Sequence, residues 1–564
     1  MPVQNMENDH SAPSGVATSL EKQDRQDVFD NTRMVEVTYP PLFRRTIIVL
    51  SLMLATFLIA LDMSIIGTAI PMITTEFNSM ADAGWYGSAF FLTLAAFISA
   101  WGKAYKFFSL RLVYVTAVFL FEVGSLLCAL APSSLALTCG RAIQGLGGAG
   151  IAGGGYTITA FVCPPSVQPI VIGLMGSVFT VASIAGPLLG GVFTSDVTWR
   201  WCFYINLPIG GVTIISMLIW FRTPAAAKAS HGTPWREVLL SFDPVGSVLV
   251  FAGVLCFFLA IQWGGIAFEW KSATEIGLLV GCVVILALFT INEWYQGDRA
   301  LIVYRLLRKR SIGATAGFIF LSLTSHGVLS LNAGNIALQY QLPIYFQAIQ
   351  GDSPVQSGIK MIPSILATAL ATAIGSGLAG KVQVFQPFLV ASGIVSTIGC
   401  GLIFTFGLNE SLGAIIGYQI LYGVGTGLGV QLPNLVATIT SAPEDVSTAV
   451  STVSFFMLLA GGWGVAVTDA VLNNMLLLRV PHYAPALDGE AVLAVGAAGI
   501  KDAFSGDILE GVRLAYLDGL HAGWALGTTA FGLACLCALL PKWPGRLVAP
   551  PGALGSKHTV GAVA

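Results

Sequence analysis

Charge is what this 564-residue sequence has least of. Only 10% of its residues are charged, against about 25% in an average soluble protein, so its polar groups are too few to cover a soluble globule. The net charge of −2 suggests no nucleic-acid partner. Histidines are few and unclustered, and the nine cysteines show no metal-ligand spacing. Neither a metal site nor any other cofactor is expected. No nucleophile, metal or acid–base group converges on a catalytic pattern, so the chain is not expected to be an enzyme. Cleavable signals are also missing, because residues 1–40 are polar and the first apolar run begins at Thr46. That opening stretch is expected to be a disordered cytoplasmic tail, extending to residue 45. One segment, "GSGLAGKV" from Gly375 to Val382, has the G-x-x-x-x-G-K core of a phosphate-binding loop. It lacks the Ser or Thr that would hold magnesium and closes an apolar span instead of joining a strand to a helix. No nucleotide partner is expected.

What the sequence does have is apolar length. It is 55% hydrophobic, with mean hydropathy +0.78 and 64 glycines. This is the composition of a polytopic membrane protein whose helices pack closely through small residues. About 20 apolar residues cross a bilayer as a helix, and fourteen stretches qualify. Six lie between residues 46 and 221, two near 245–264 and 274–293, and six between 312 and 541. With an N-terminus in the cytoplasm, 20 lysines and arginines fall on the cytoplasmic side and six on the other, leaving Arg141 within a span. That asymmetry fits the positive-inside rule. The expected fold is all-α, with fourteen transmembrane helices in a 6 + 2 + 6 arrangement and both termini cytoplasmic. The divisions are 1–45 (tail), 46–221 (N-terminal six-helix bundle), 222–311 (linker with two inserted helices), 312–541 (C-terminal six-helix bundle) and 542–564 (tail). A long outside loop is expected near 475–519.

An internal repeat supports the two bundles. "GRAIQGLGGAGI" from Gly140 and "YQILYGVGTGLG" from Tyr418 superpose at a shift of 278 residues, placing Gly145 on Gly423, Gly147 on Gly425 and Arg141 on Gln419. The same shift puts Gly186 on Gly464. Related halves that enclose a midplane site are a transporter architecture.

Three ionisable groups lie inside apolar runs: Asp62 in "LIALDMSIIGTAIPMI", Glu122 in "FLFEVGSLL", and Arg141. A charge at the centre of a membrane helix costs roughly 2.5–3.5 kcal/mol. Asp62 and Glu122 are therefore candidates for proton coupling, to which the resemblance given below adds Arg141, and a structural ion pair is the competing account. A buried guanidinium needs a carboxylate, carbonyls or water beside it.

These stretches resemble the major facilitator superfamily, and within it the fourteen-span drug:proton antiporters of the fungal toxin and multidrug efflux branch. "LDMSIIGTAIP" is similar to that family's first-span signature, and "WRWCFYINLPIG", Trp199 to Gly210, to a motif between spans 5 and 6. "LPIYFQAIQGDSPVQSG" is typical of the same branch. "GKAYKFFSLR" occupies the place of the gating loop after span 2; Gly102 and Arg111 match, whereas Lys106 stands where the general pattern has Asp. Span 5 resembles the antiporter motif at Gly173, Gly186, Pro187, Gly190 and Gly191, with Ala182 replacing one glycine. A proline-kinked, closely packed helix is expected there. Gln144, Gln339, Tyr345, Gln347 and Gln419 are the expected polar and aromatic groups of a substrate cavity. Relative to the family, residues are inserted around "TSHGVLSLNAG", Thr324 to Gly334, which implies a broken helix or a retained intron.

The resemblance implies proton-coupled efflux of an amphipathic small molecule (a fungal toxin, secondary metabolite or drug) by alternating access. The implied partners are the lipid bilayer, the substrate and protons, and the implied location is the cell membrane. The alternatives are uptake or vacuolar transport of a siderophore or basic amino acid, in the vacuolar membrane for the latter, and a non-transporting membrane sensor.

Overall fold

Helix caps and prolines divide the apolar chain into long helices. The structure, a computed structural model, describes residues 39–79, 82–224, 227, 234–265, 268–329 and 338–548. Helix α1 (Leu42–Phe77) starts after Pro41 and stops at Asn78, whose φ of 48° breaks the helical run. It is followed by α2 (Ala83–Phe107), α3 (Leu110–Ala129), α4 (Ser134–Val162), α5 (Gln168–Val192) and α6 (Asn206–Trp220). Ser133 caps α4 by accepting from the Ala136 amide, satisfying one of the helix's free donors. Then come α7 (Pro244–Trp263) and α8 (Ala273–Gln296), capped by Asp243 and Ser272. The last set is α9 (Arg310–Leu329), α10 (Pro354–Val382), α11 (Gln386–Ile403), α12 (Leu412–Val430), α13 (Val446–Tyr483) and α14 (Gly506–Ala538).

Among the described residues, eleven helices are long and apolar enough to cross a membrane. α4 is diluted by glycine, and α9 and α13 show the apolar stretches Arg310–Leu323 and Val446–Gly461 among the described residues. One expectation changes, and another falls partly outside the described residues. The loop expected near 475–519 is largely helical, because α13 runs on to Tyr483, a helix covers Gly489–Ala503 and α14 begins at Gly506. The long run over 312–347 is divided between α9 and a helix over Leu338–Ile344, with residues 330–337 outside the described ones.

The packing repeats. In the first set α3 packs on α4, α2 on α4, α1 on α5, and α6 on α1 and α3. In the last set α11 packs on α12, α10 on α12, α9 on α13, and α14 on α9 and α11. Every pair recurs eight helices later. The side chains repeat as well. A Cβ on Gly145 would lie 2.2 Å from the Phe90 carbonyl oxygen, and one on Gly423 2.4 Å from that of Ser364. Arg141 Nε donates to the Tyr86 carbonyl at 2.8 Å, and Gln419 Nε2 to the Lys360 carbonyl at 3.0 Å.

The halves meet along two equivalent seams, α5 on α10 and α2 on α13. A Cβ on Gly102 would lie 2.1 Å from Ser451 Oγ, and one on Gly380 2.3 Å from Pro169. Gly380–Lys381 is thus the counterpart of Gly102–Lys103, which accounts for the phosphate-loop look of "GSGLAGKV". α7, paired with α8, rests on α2 and α13, beside one seam.

The linker after α8 closes the same end. Lys103 Nζ donates to the Asp298 carbonyl at 3.2 Å, and Arg305 grips Asp445 through both carboxylate oxygens at 2.9 and 3.0 Å. Burial alone would raise the Asp445 pKa. The bonds and charge of Arg305, with Lys106 and Lys309 nearby, outweigh burial and hold the carboxyl below its ordinary value. A lowered carboxyl pKa adds stability above the unfolded value and loses it as pH falls through the folded one. Arg305 is 51% exposed, so the contribution is about 1 kcal/mol. Asp445→Asn should lower the thermal midpoint of the detergent-solubilised protein at neutral pH, and lower it much less in acid below the carboxylate range.

Candidate functional site

The first-span aspartate lies inside the first bundle. Asp62 on α1 is wholly buried, as are Arg141 and Gln144 on α4, Ser125 on α3 and Asn206 on α6. Arg141 Nη1 donates to Asp62 Oδ2 at 2.5 Å and to Gln144 Oε1 at 2.7 Å. Gln144 Nε2 donates to Asp62 Oδ1 at 2.6 Å and to Ser125 Oγ at 2.7 Å. Asn206 Nδ2 reaches the same two acceptors at 3.2 and 3.1 Å. The guanidinium sits 4.5 Å from the centre of the Phe90 ring and 5.9 Å from that of Phe203. Four helices thus converge on one carboxylate, which a lone buried charge requires.

The motif "WRWCFYINLPIG" builds much of this surround. Trp199 Nε1 donates to Glu76 at 2.6 Å, and Arg200 pairs with Glu76 at 2.8 Å, fixing the end of α1. Phe203 flanks the guanidinium, and Asn206 binds the carboxylate. Gly210 leaves room for Glu122, whose Oε1 would lie 1.8 Å from a Cβ there. Neither oxygen of the buried Glu122 has a hydrogen-bond partner among the described residues. Sequence reasoning quoted this motif and passed over Asn206. The signal was there: an asparagine between apolar residues in a span is also costly to leave unpaired, though less so than an ionised acid.

The antiporter-like glycines divide between two tasks. Gly186 and Gly190 lie against α1, where a Cβ would meet Ser64 Oγ at 1.8 Å and Thr68 Oγ1 at 2.2 Å. Gly173 faces α10 in the other half, 2.9 Å from Ser376. Gly191 faces open space, with nothing within 4 Å. α5 continues through Pro187 to Val192 and then widens into a π turn, Phe193–Val197. The expected gating-loop residues Gly102 and Lys106 belong instead to the last turns of α2, where Gly102 sits on the seam and Lys106 adds charge near Asp445. Arg111 does not reach the seam; its amide and guanidinium bond to Thr223 and the Leu218 carbonyl within the first half.

The cavity between the halves is lined by other residues than those expected. It measures about 50 Å³ and takes Ile59 and Met63 from α1, Tyr156 from α4, Met175 from α5, Gln431 from the end of α12 and Met457 from α13. Asp62 and Gln144 do not line it, because both point into the first bundle. Tyr345 stacks on Phe406 at 5.2 Å within an aromatic cluster of the second half, and its hydroxyl donates to the Gly407 carbonyl. Gln419 is spent on the Lys360 carbonyl, and Gln347 is half-buried away from the cavity. The Gln339 side chain lies outside the described ones. The Gln144 and Gln419 amides, beside glycine stripes, go to helix contacts, while most of the lining is methionine and aliphatic, which a sequence cannot tell from a lipid-facing surface.

The model of the Major Facilitator Superfamily matches residues 52–465. The chain belongs to the major facilitator superfamily. As a member of that superfamily it is a multi-span membrane transporter of small molecules. It is 40% identical to the MFS-type transporter grgE of Penicillium sp. over 90% of this chain and 88% of that protein. It is 39% identical to the MFS-type efflux pump MFS1 of Arthroderma benhamiae over 90% and 93%. Among solved structures of the superfamily, it is similar in fold to the human organic anion transporter MFSD10, with a TM-score of 0.56 at 14% identity, covering 88% of this chain and all of that one. The proton:xylose symporter XylE has a TM-score of 0.54 at 14% identity, with 87% and 94% covered.

Within this superfamily member the Asp62–Arg141 pair carries an energetic test. Removing one partner of a buried pair costs about 3–5 kcal/mol, whereas replacing both by apolar groups is often near neutral. Arg141→Met should lower thermal stability in detergent by that amount, and Asp62→Leu with Arg141→Met should recover most of the loss. A double variant no more stable than the single one would mean that Asp62 is not the charge Arg141 balances.

Proposed function

We propose that the chain is a proton-driven exporter of an amphipathic small molecule, a fungal toxin, secondary metabolite or drug. It works by alternating access through fourteen membrane crossings, with both termini cytoplasmic, in the cell membrane. The observation that carries this reading is the placement of Asp62. Its carboxylate is locked to Arg141, Gln144 and Asn206, while Ile59 and Met63, within one turn on α1, face the cavity. Proton binding at Asp62 removes the charge that Arg141 holds. The guanidinium then keeps Gln144 Oε1, the Tyr86 carbonyl and the Phe90 face. α1 is free to shift, and its cavity face shifts with it. Glu122, buried one turn from Ser125, is the second proton site. Gly173 and Gly102, on the two seams, are the points about which the halves part. Closure at the linker end exchanges access between the two sides of the membrane.

The energetics suffice. One charge moving through 100 mV yields about 2.3 kcal/mol, and a tenfold proton gradient adds about 1.4 kcal/mol. Together they support roughly a several-hundred-fold gradient of a neutral substrate. Uptake of a siderophore or a basic amino acid would call for charged groups in the cavity, and the described lining has none. The names of two relatives, an MFS-type transporter and an efflux pump, fit export.

Export from proteoliposomes with an imposed pH gradient tests the coupling. Transport should follow the gradient, collapse with a protonophore, and lose its gradient dependence in Asp62→Asn. Gradient-driven transport that persists unchanged in Asp62→Asn would refute the assignment.

A further inference from the structure

The described cavity lining is mostly apolar, and a polar contact within it joins the two halves. Tyr156 on α4 is 9% exposed and Gln431, between α12 and the helix Leu432–Thr440, is 5% exposed. The Tyr156 hydroxyl donates to Gln431 Oε1 at 3.0 Å. Gln431 is pinned from the other side by α5, since a Cβ on Gly176 would lie 2.6 Å from its Cγ. Ser454 adds a hydroxyl, and Met63, Met175 and Met457 supply deformable, polarisable wall. No Asp, Glu, Lys, Arg or His is among the described lining residues. A charged ligand would therefore be desolvated without a counter-charge, at a cost that apolar contact cannot offset.

We infer that the cavity selects uncharged amphipathic molecules carrying an oxygen acceptor, and that Tyr156 and Gln431 are its specificity pair. The inference rests on the exporter reading and narrows its substrate class. A substrate carbonyl, ether or hydroxyl oxygen takes the Tyr156 donor that Gln431 accepts here, and the released Gln431 amide bonds to the same molecule. Because the pair spans the halves, substrate entry replaces an inter-half contact with two contacts to the ligand. Size points the same way. At about 50 Å³ the cavity holds a few waters, whereas a drug-sized ligand needs about 300 Å³ or more. The halves must part to admit it, and the Tyr156–Gln431 bond lies in the way.

The test uses the full chain in phosphatidylcholine nanodiscs and three dyes of similar size: Nile red (neutral, with a carbonyl), rhodamine 6G (cationic) and fluorescein (anionic). Saturable binding is measured above protein-free nanodiscs. Nile red should bind at least tenfold more tightly than either ion. Tyr156→Phe should weaken Nile red about tenfold, the loss of one hydrogen bond to a buried partner. Gln431→Glu should bring in rhodamine 6G while leaving fluorescein unbound. Equal binding of either ion by the native chain, no saturable binding of Nile red, or a charge preference unmoved by Gln431→Glu overturns the inference. The native chain alone decides the first two outcomes, so a variant that fails to fold does not shield the claim. Dye transport in proteoliposomes separates the two readings. Selective Nile red binding without gradient-driven export refutes the exporter alone, whereas gradient-driven export without charge selectivity refutes this pair alone.

Discussion

A carboxylate buried among apolar helices has to be answered, and in this protein Asp62 is answered from three other helices. Arg141 supplies the counter-charge and Gln144 and Asn206 the neutral donors, with Ser125 closing the ring. Low local polarity makes each of these bonds stronger and each omission more costly. The register of α1 against α3, α4 and α6 is therefore fixed at this point. The same network puts the neighbouring turn of α1 against the cavity, so that a change at the carboxylate and a change at the cavity wall belong to one rigid helix.

Small residues provide the second constraint. In a bilayer, water gives no drive for helices to associate, and close backbone approach does much of that work. Here the glycines mark both kinds of contact. Gly145, Gly147, Gly423 and Gly425 seal each half, and Gly102, Gly173 and Gly380 seal the seams between them. The seams are equivalent by the internal repeat, but the ionic closure is not. Arg305 and Asp445 clamp one seam through the linker that follows α8, next to the inserted pair α7–α8. The insertion thus brings its own closing charge to one side of a pseudo-symmetric molecule. Lys106, standing where the superfamily's pattern has an aspartate, fits that arrangement, because the acid it approaches is on the opposite half.

The polar core and the cavity divide the chemistry. The Asp62–Arg141 pair is buried within the first bundle, and the described cavity lining between the halves holds no charged side chain. In the second half the arginine's counterpart is Gln419, which spends its amide on a backbone carbonyl. The aromatic residues of that half pack on one another around Tyr345, Phe406 and Trp524. The two halves share a scaffold and differ in the electrostatics built upon it.

The sequence by itself determined the membrane class, the approximate places of the long helices, the repeat and the ionisable groups within spans that would each need a partner. Each of these is a property of composition or spacing: apolar length, a fixed offset, and the cost of a lone charge in hydrocarbon. Asn206 was legible in principle, inside a quoted motif. The tertiary structure alone decided which polar groups face the cavity. Gln144, Tyr345 and Gln419 were expected as lining and pack within the bundles, while Met63, Met175 and Met457, which carry no distinguishing signal in the sequence, form the wall. The reason is rotational. An apolar helix in a bilayer has no wet face to set its hydrophobic period, so which side meets lipid, partner helix or cavity is fixed only when the other helices are packed around it.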